Sequence, residues 1–103
     1  MNNIFEDIPE DLHSEVFESL LDSDNVSIER IISKGHASPE TGWYDQERNE
    51  WLIVLKGAAE LSFTDGSIIS LKEGDHMNIA AHERHKVSWT DPDTETIWLA
   101  IHY

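Results

Sequence analysis

The first part of the chain carries apolar residues at helical spacing. Between residues 8 and 21 they recur at steps of three and four, as Ile8, Leu12, Val16, Phe17, Leu20 and Leu21. Pro9 suits the first turn of a helix, and Glu10 and Asp11 lie where the helix dipole favours negative charge. This pattern predicts one short N-terminal helix over residues 8–21, which would cover a face or an edge of a sheet.

Parts of the remaining chain, such as residues 59–63, alternate between apolar and polar positions as half-buried strands do, and residues 51–55 form a continuous apolar run. After a polar, turn-like cluster at residues 22–25, we expect strands over residues 26–32, 51–55, 59–63, 68–71, 76–79, 85–89 and 96–103. Asp65-Gly66 is a hairpin turn signal. We expect no second helix of more than about three turns after residue 35. Many short strands with regular turns predict a β sandwich or a closed barrel.

The length and the apolar runs indicate one domain. A chain of 103 residues can build one core but not two of ordinary size, so we predict a single domain over residues 1–103. Its N-terminal segment would span residues 1–24 and its barrel residues 26–103.

No run of 18 apolar residues occurs, and the acidic N-terminus is unlike a secretory signal, so we expect a cytoplasmic protein without a membrane partner.

The charge narrows the classes of partner. With 21 acidic and 7 basic residues, the formal net charge of −14 opposes the phosphate contacts that nucleic-acid binding needs. A small-molecule ligand is the expected partner instead, and the chain could be a monomer or a homodimer. Cysteine is absent, so a metal ion would need His, carboxylate or amide ligands.

Two segments carry glycine, carboxylate and histidine at characteristic spacings. Glu50 is followed by six residues and then Gly57, and Gly74 is followed by ten residues and then His85. These spacings resemble the paired motifs of the cupin superfamily, whose small jelly-roll barrels often hold one metal ion. The resemblance covers roughly residues 35–90. It implies an all-β double-stranded β-helix in which Gly57 and Gly74 lie at turns.

The sequence departs from the family pattern at several metal-ligand positions. The two histidines expected before the glutamate fall on Trp43 and Asp45 or, with a shorter spacer, on Tyr44 and Gln46. The second motif also changes, since Ala80 stands in place of proline, His82 in place of glycine and Trp89 in place of asparagine. The three-histidine, one-glutamate set that the family implies is therefore incomplete, and fold analogy alone does not supply the chemistry.

A metal site with fewer histidine ligands than the family pattern is one interpretation of these residues. Glu50 and His85 lie on different strands, so their inward side chains could meet inside a barrel. Asp45 is the predicted third ligand, with Gln46 as its replacement, and His82 is a fourth candidate. Such a mixed nitrogen and oxygen set suits iron, manganese, nickel or zinc. The alternative is a metal-free ion pair or hydrogen bond between Glu50 and His85.

Two functions follow from these alternatives. The first is a metal-dependent small-molecule enzyme of the oxygenase or isomerase type, with Glu50, His85 and Asp45 holding the ion. The second is a binding module without metal, in which Trp43, Tyr44 and Gln46 contact a small organic ligand beside the Glu50–His85 pair. Four other histidines are interpreted as incidental to either function: His13, His36, His76 and His102.

Overall fold

The structure is a computed structural model that describes residues 2–39 and 42–103, and these form eight β-strands. The strands are β1 (Val16–Asp22), β2 (Ser27–Ser33), β3 (Glu50–Lys56), β4 (Ala58–Phe63), β5 (Ile68–Lys72), β6 (His76–Ile79), β7 (His85–Thr90) and β8 (Thr96–His102). The described ranges contain no α-helix and therefore no helix suited to crossing a membrane. The all-β prediction is confirmed.

Two antiparallel sheets face each other. One has five strands in the order β1-β2-β8-β3-β6, and the other has three in the order β5-β4-β7. The core between them is built from alternate, inward residues of both sheets: Leu52, Val54, Ala59, Leu61, Phe63, Leu71, Ile79 and Trp98. This is the double-stranded β-helix arrangement that the sequence predicts, and it leaves the inner faces of the strands available to form a site.

The predicted N-terminal helix is wrong. The second half of that segment is strand β1, which pairs antiparallel with β2 from Val16 opposite Ile32 to Asp22 opposite Ser27. The three- and four-residue spacing does not mark a buried stripe, because Leu20 and Leu21 remain about half exposed. Pairing with β2 supplies the backbone hydrogen bonds that a helix would otherwise have formed, so tertiary structure overrides the local period.

Arg30 holds the residues before β1 in an irregular path. Its side chain is buried, and its guanidinium donates hydrogen bonds to the main-chain oxygens of Ile4 and Glu6 at 3.1 and 2.6 Å. It also binds both carboxylate oxygens of Glu18 at 2.8 Å. This ion pair and the main-chain contacts attach the N-terminal segment to the five-stranded sheet.

The two motif glycines lie at turns, as predicted. Gly57 separates β3 from β4, and Gly74 lies between β5 and β6. Their φ angles are +89° and +88°, in the left-handed region that glycine adopts without the steric cost of a Cβ atom. Asp65-Gly66 forms the predicted hairpin turn between β4 and β5, where Ser67 donates to the Asp65 carboxylate. The two family motifs therefore align with the strands and turns of the structure.

Candidate functional site

A cavity of about 150 Å³ lies between the two sheets. Strands of both sheets contribute its apolar lining: Phe17, Ile31, Leu52, Leu61, Val87 and Trp98. Phe17 and Tyr44 also line it while remaining 55% and 45% exposed, so they mark its mouth. An apolar cleft with a few polar groups is the usual form of a small-molecule site.

Glu50 and His85 face each other inside this cavity. Glu50 opens β3 and points inward with Leu52 and Val54, because side chains two residues apart lie on one face of a strand. His85 opens β7 on the opposite sheet. They are only 7% and 4% exposed, and Glu50 Oε1 lies 3.7 Å from His85 Nε2. That distance is longer than a hydrogen bond and is that of an ion pair.

Neighbouring groups orient both members of the pair. The Glu83 carbonyl oxygen accepts a hydrogen bond from His85 Nδ1 at 2.9 Å, which places a proton on Nδ1 and turns Nε2 toward Glu50. Gln46 Nε2 donates to Glu50 Oε1 at 2.8 Å. The Tyr44 ring lies beside the imidazole, with 5.6 Å between the ring centroids. The pair is thus held by contacts on both sides before any ligand arrives.

Both pKa shifts favour the charged forms of the pair in the folded protein. Burial is the largest single influence on each group and disfavours its charged form, but the facing partner and the neighbouring hydrogen bonds together outweigh it. Contact with His85 and the Gln46 hydrogen bond lower the pKa of Glu50, while Glu50 and the Glu83 carbonyl raise the pKa of His85. The two directions agree, and they describe a carboxylate opposite an imidazolium.

These shifts predict that folding stability is greatest in mildly acidic solution. The contribution of His85 is fully present below its ordinary pKa of 6.5 and is lost as the pH rises through its raised value. The contribution of Glu50 is present above its ordinary pKa of 4.5 and is lost as the pH falls through its lowered value. Melting temperatures should therefore be highest between pH 4.5 and 6.5 and fall toward alkaline pH. A melting temperature that rises above pH 6.5 would contradict the ion pair.

The structure selects one of the two motif alignments. Tyr44 and Gln46 line the cavity, so the shorter spacer before Glu50 is the one that the fold uses. Tyr44 also exchanges main-chain hydrogen bonds with His85, which places the segment before β3 against β7. The four family ligand positions consequently correspond to Tyr44, Gln46, Glu50 and His85.

Asp45 and His82 lie outside this cavity and contact each other. Because Tyr44 and Gln46 point inward, the side chain between them points outward. The Asp45 carboxylate lies 2.7 Å from His82 Nδ1 and 3.3 Å from Arg84 Nε, and these contacts, His82 foremost, lower the pKa of Asp45. His82 is itself exposed at a turn with a φ of +63°. The structure therefore does not bring the predicted third and fourth ligands to Glu50 and His85.

Trp43 is also separate from the cavity. Its ring is partly exposed and stacks under the Lys86 ammonium, 4.5 Å from the ring centroid. It lines a shallow groove that it shares with Tyr44, Ser38 and Pro39. Of the three residues predicted to contact an organic ligand, Tyr44 and Gln46 are thus at the cavity and Trp43 is not.

The residues at the cavity do not fit the metal centre that the family resemblance implies. Across residues 2–39 and 42–103, no group of three or more histidines, aspartates or glutamates has an arrangement that could hold an ion. Two of the four family positions carry Tyr44 and Gln46, and the Gln46 amide nitrogen, which cannot ligate, faces Glu50. The four family positions therefore retain one imidazole and one carboxylate, fewer than the three protein ligands typical of catalytic zinc sites.

A second acid–histidine pair in the cavity was not predicted. His102 and Glu29 both line it, with His102 Nε2 3.0 Å from Glu29 Oε1. Glu29 raises the pKa of His102. His102 lies on β8 directly opposite Glu50 in the β3–β8 register, so the interpretation of His102 as incidental did not anticipate its place in the cavity. Alternation along β8 could have indicated that His102 points inward. Residues 98, 100 and 102 lie on one face of the strand, and the apolar Trp98 is expected to face the core.

Comparisons with known proteins agree with this architecture. The family model described as "Cupin domain" matches residues 30–102. A crystal structure of a "putative mannose-6-phosphate isomerase" from Ralstonia eutropha JMP134 is 40% identical, with a TM-score of 0.94 over 99% of this chain and 95% of that one. Among curated proteins, no significant match is found.

Two more distant structures share the fold alone. A cupin superfamily protein from Desulfitobacterium hafniense DCB-2 is 21% identical, with a TM-score of 0.75 over 92% of this chain and 82% of that one. An RmlC-like cupin with a double-stranded β-helix from Methanocaldococcus jannaschii is 19% identical, with a TM-score of 0.72 over 92% and 84% of the two chains.

Proposed function

This chain belongs to the cupin family, and we propose that it binds a small organic molecule in its cavity without a metal ion. The observation that carries the proposal is the buried Glu50–His85 pair, 3.7 Å apart, at the wall of an apolar cavity. Such a pair offers a ligand both an acceptor and a donor. It would hold a polar group of the ligand while the apolar side chains enclose the rest.

The size of the cavity limits the ligand. An engineered apolar cavity of roughly 150 Å³ holds benzene, so a cavity of about the same volume suits a molecule with one ring or a short chain. The mouth beside Phe17 and Tyr44 lets a substituent extend outward. The proposed ligand therefore has an apolar body and one polar end that reaches Glu50 and His85.

The test is ligand binding by protein from which metal has been removed. We expect tag-free protein dialysed against EDTA to contain far less than one metal ion per chain and still to bind benzyl alcohol at one site, measured by calorimetry. His85→Ala should weaken this binding by about tenfold, the equivalent of one hydrogen bond to a charged group. His76→Ala, which removes an exposed imidazole stacked on Trp51, is the matched control and should bind as the wild type does. Binding that requires added metal would refute the proposal.

Proton transfer is the second candidate function, favoured by the isomerase named for the 40% identical relative. The Glu50 carboxylate could take a proton from the carbon beside a carbonyl group, while the His85 imidazolium donates to the carbonyl oxygen. Glu50 would then return the proton to the former carbonyl carbon, while the now neutral His85 takes the hydroxyl proton at the carbon first deprotonated, so that this carbon becomes the new carbonyl. Deuterium incorporation into dihydroxyacetone in D₂O, abolished by Glu50→Gln, would support this function, and equal rates in both proteins would exclude it.

A further inference from the structure

We propose that the ligand of this cavity is a small organic cation with an ammonium group, an inference that rests on the proposed binding function. Three carboxylates line the cavity, from Glu15, Glu29 and Glu50. Three aromatic rings line it as well, from Phe17, Tyr44 and Trp98. Among the described residues, neither lysine nor arginine contributes to the lining. Carboxylates and aromatic faces together are the groups that recognise organic cations.

The charges inside the cavity do not cancel. Glu50 faces His85, and Glu29 faces His102, so two of the carboxylates have an imidazole partner. Even with both imidazoles protonated, one negative charge is left over, and deprotonation of either increases the excess. A net charge of −14 on the whole chain adds to the same potential. The lining residues by themselves therefore favour a cation over a phosphorylated or carboxylated ligand, and Arg48, which lies near His102 but does not line the cavity, offsets part of this charge from outside.

Glu15 carries the excess charge. Its carboxylate accepts a hydrogen bond from the Ser33 hydroxyl, a neutral group that also accepts from Trp98 Nε1 at 3.3 Å. In the part of the chain that the structure describes, no Lys, Arg or His forms an ion pair with Glu15. Glu15 lies just before β1 and, like Phe17, lines the cavity. It is free to bind a ligand ammonium without breaking an existing ion pair.

The aromatic rings suit the same ligand. Phe17 and Tyr44 lie at the mouth and Trp98 is buried deeper, so an apolar body and its cationic end both contact ring surfaces. A cation over an aromatic face is stabilised by the ring quadrupole, most strongly where water is excluded. A neutral ligand of the same shape gains the apolar contacts but neither this attraction nor that of Glu15.

Cation binding would also be linked to proton release. His85 faces Glu50 and the Glu83 carbonyl, and His102 faces Glu29 and Glu50 with Arg48 nearby. A bound ammonium repels an imidazolium, so it favours loss of a proton from either histidine. Affinity for a cation should therefore rise with pH through the histidine titrations, whereas affinity for a neutral ligand should not.

The experiment is calorimetric titration of the full chain with three probes of matched shape: benzylamine, benzyl alcohol and benzoate. At neutral pH we expect benzylamine, as its ammonium form, to bind about tenfold more tightly than benzyl alcohol, and benzoate more weakly than both. Mannose 6-phosphate should bind no better than benzoate. Glu15→Gln should weaken benzylamine binding far more than benzyl alcohol binding, and so remove most of the preference for benzylamine. Glu47→Gln deletes an equal charge from an exposed loop position and controls for the overall field of the protein.

The possible results separate this inference from the proposed function. If benzyl alcohol and benzylamine bind equally and His85→Ala weakens both, the cavity binds ligands but the cation preference is refuted. Tighter binding of benzoate or mannose 6-phosphate than of benzylamine refutes it as well. If no probe binds at millimolar concentration, the proposed function and this inference both fail. If Glu15→Gln and Glu47→Gln reduce the preference for benzylamine equally, the preference arises from the net charge of the whole protein. The role of Glu15 is then refuted.

Discussion

Replacing His85 by alanine is expected to destabilise the protein by about 3 kcal/mol, because it leaves the Glu50 carboxylate buried opposite an empty space. Among the residues that the structure describes, Gln46 alone would still donate to that carboxylate at a direct hydrogen-bond distance. Glu50→Gln should cost less, since His85 can then lose its proton and become neutral. Urea denaturation at pH 6 measures both costs.

The double variant shows whether the two residues act as one unit. If they do, Glu50→Gln combined with His85→Ala should cost at least about 1 kcal/mol less than the sum of the single changes. The exposed ion pair between Lys56 and Glu95, at 3.4 Å, is the control. Its double-variant cycle should give a coupling of no more than about 0.5 kcal/mol, as exposed ion pairs usually do. Additive costs at Glu50 and His85 would refute the buried pair.

Gly57→Ala is expected to lower the free energy of unfolding more than Gly74→Ala does. A Cβ atom at Gly57 would lie 2.5 Å from Thr96 Oγ1, 2.7 Å from Thr96 Cα and 2.8 Å from the Glu95 carbonyl oxygen. Thr96 Cα and the Glu95 carbonyl oxygen belong to the backbone where β8 begins, so they cannot move unless the strand shifts. We expect a loss of about 3 kcal/mol or more, from the clash and the positive φ together.

Gly74→Ala provides the matched control for the clash. Gly74 has nearly the same φ, +88° against +89°, but a Cβ atom there would meet nothing within 4 Å. It should cost about 1 kcal/mol, which is the strain of the left-handed backbone alone. Equal losses of unfolding free energy in the two variants would mean that Gly57 is required only for its conformation.

The sequence predicts the strands well because their patterns match the environments that they occupy. Strand β4 has buried Ala59, Leu61 and Phe63 alternating with the polar Glu60 and Ser62, and Asp65-Gly66 favours a hairpin turn regardless of the rest of the fold. The N-terminal segment is different, because its leucines are left exposed on an edge strand. No local rule distinguishes an exposed amphipathic strand from a short helix, and pairing with β2 decides the outcome.

The candidate site was predictable in part for the same reason. Spacing from Gly57 and Gly74 identifies Glu50 and His85, whose inward direction follows from their strands. Spacing alone leaves the choice between Asp45 and Gln46 open, because a one-residue shift reverses which side chain faces inward. Glu15 and Glu29 belong to no family motif. They reach the cavity only because β1 and β2 pair along its edge, which is a property of the tertiary fold.

The most direct test of the account is the ionisation of His85 and its response to a ligand, followed by ¹⁵N NMR of histidine-labelled protein. We predict that the pKa of His85 lies above its ordinary value of 6.5 and returns toward it in Glu50→Gln. Benzyl alcohol should shift the His85 ring resonances and leave those of the exposed His13 and His76 unchanged. The account would be contradicted if His85 titrates at its ordinary pKa and responds neither to Glu50→Gln nor to benzyl alcohol. Such a result would mean that Glu50 and His85 do not form a charged pair at the centre of a binding cavity.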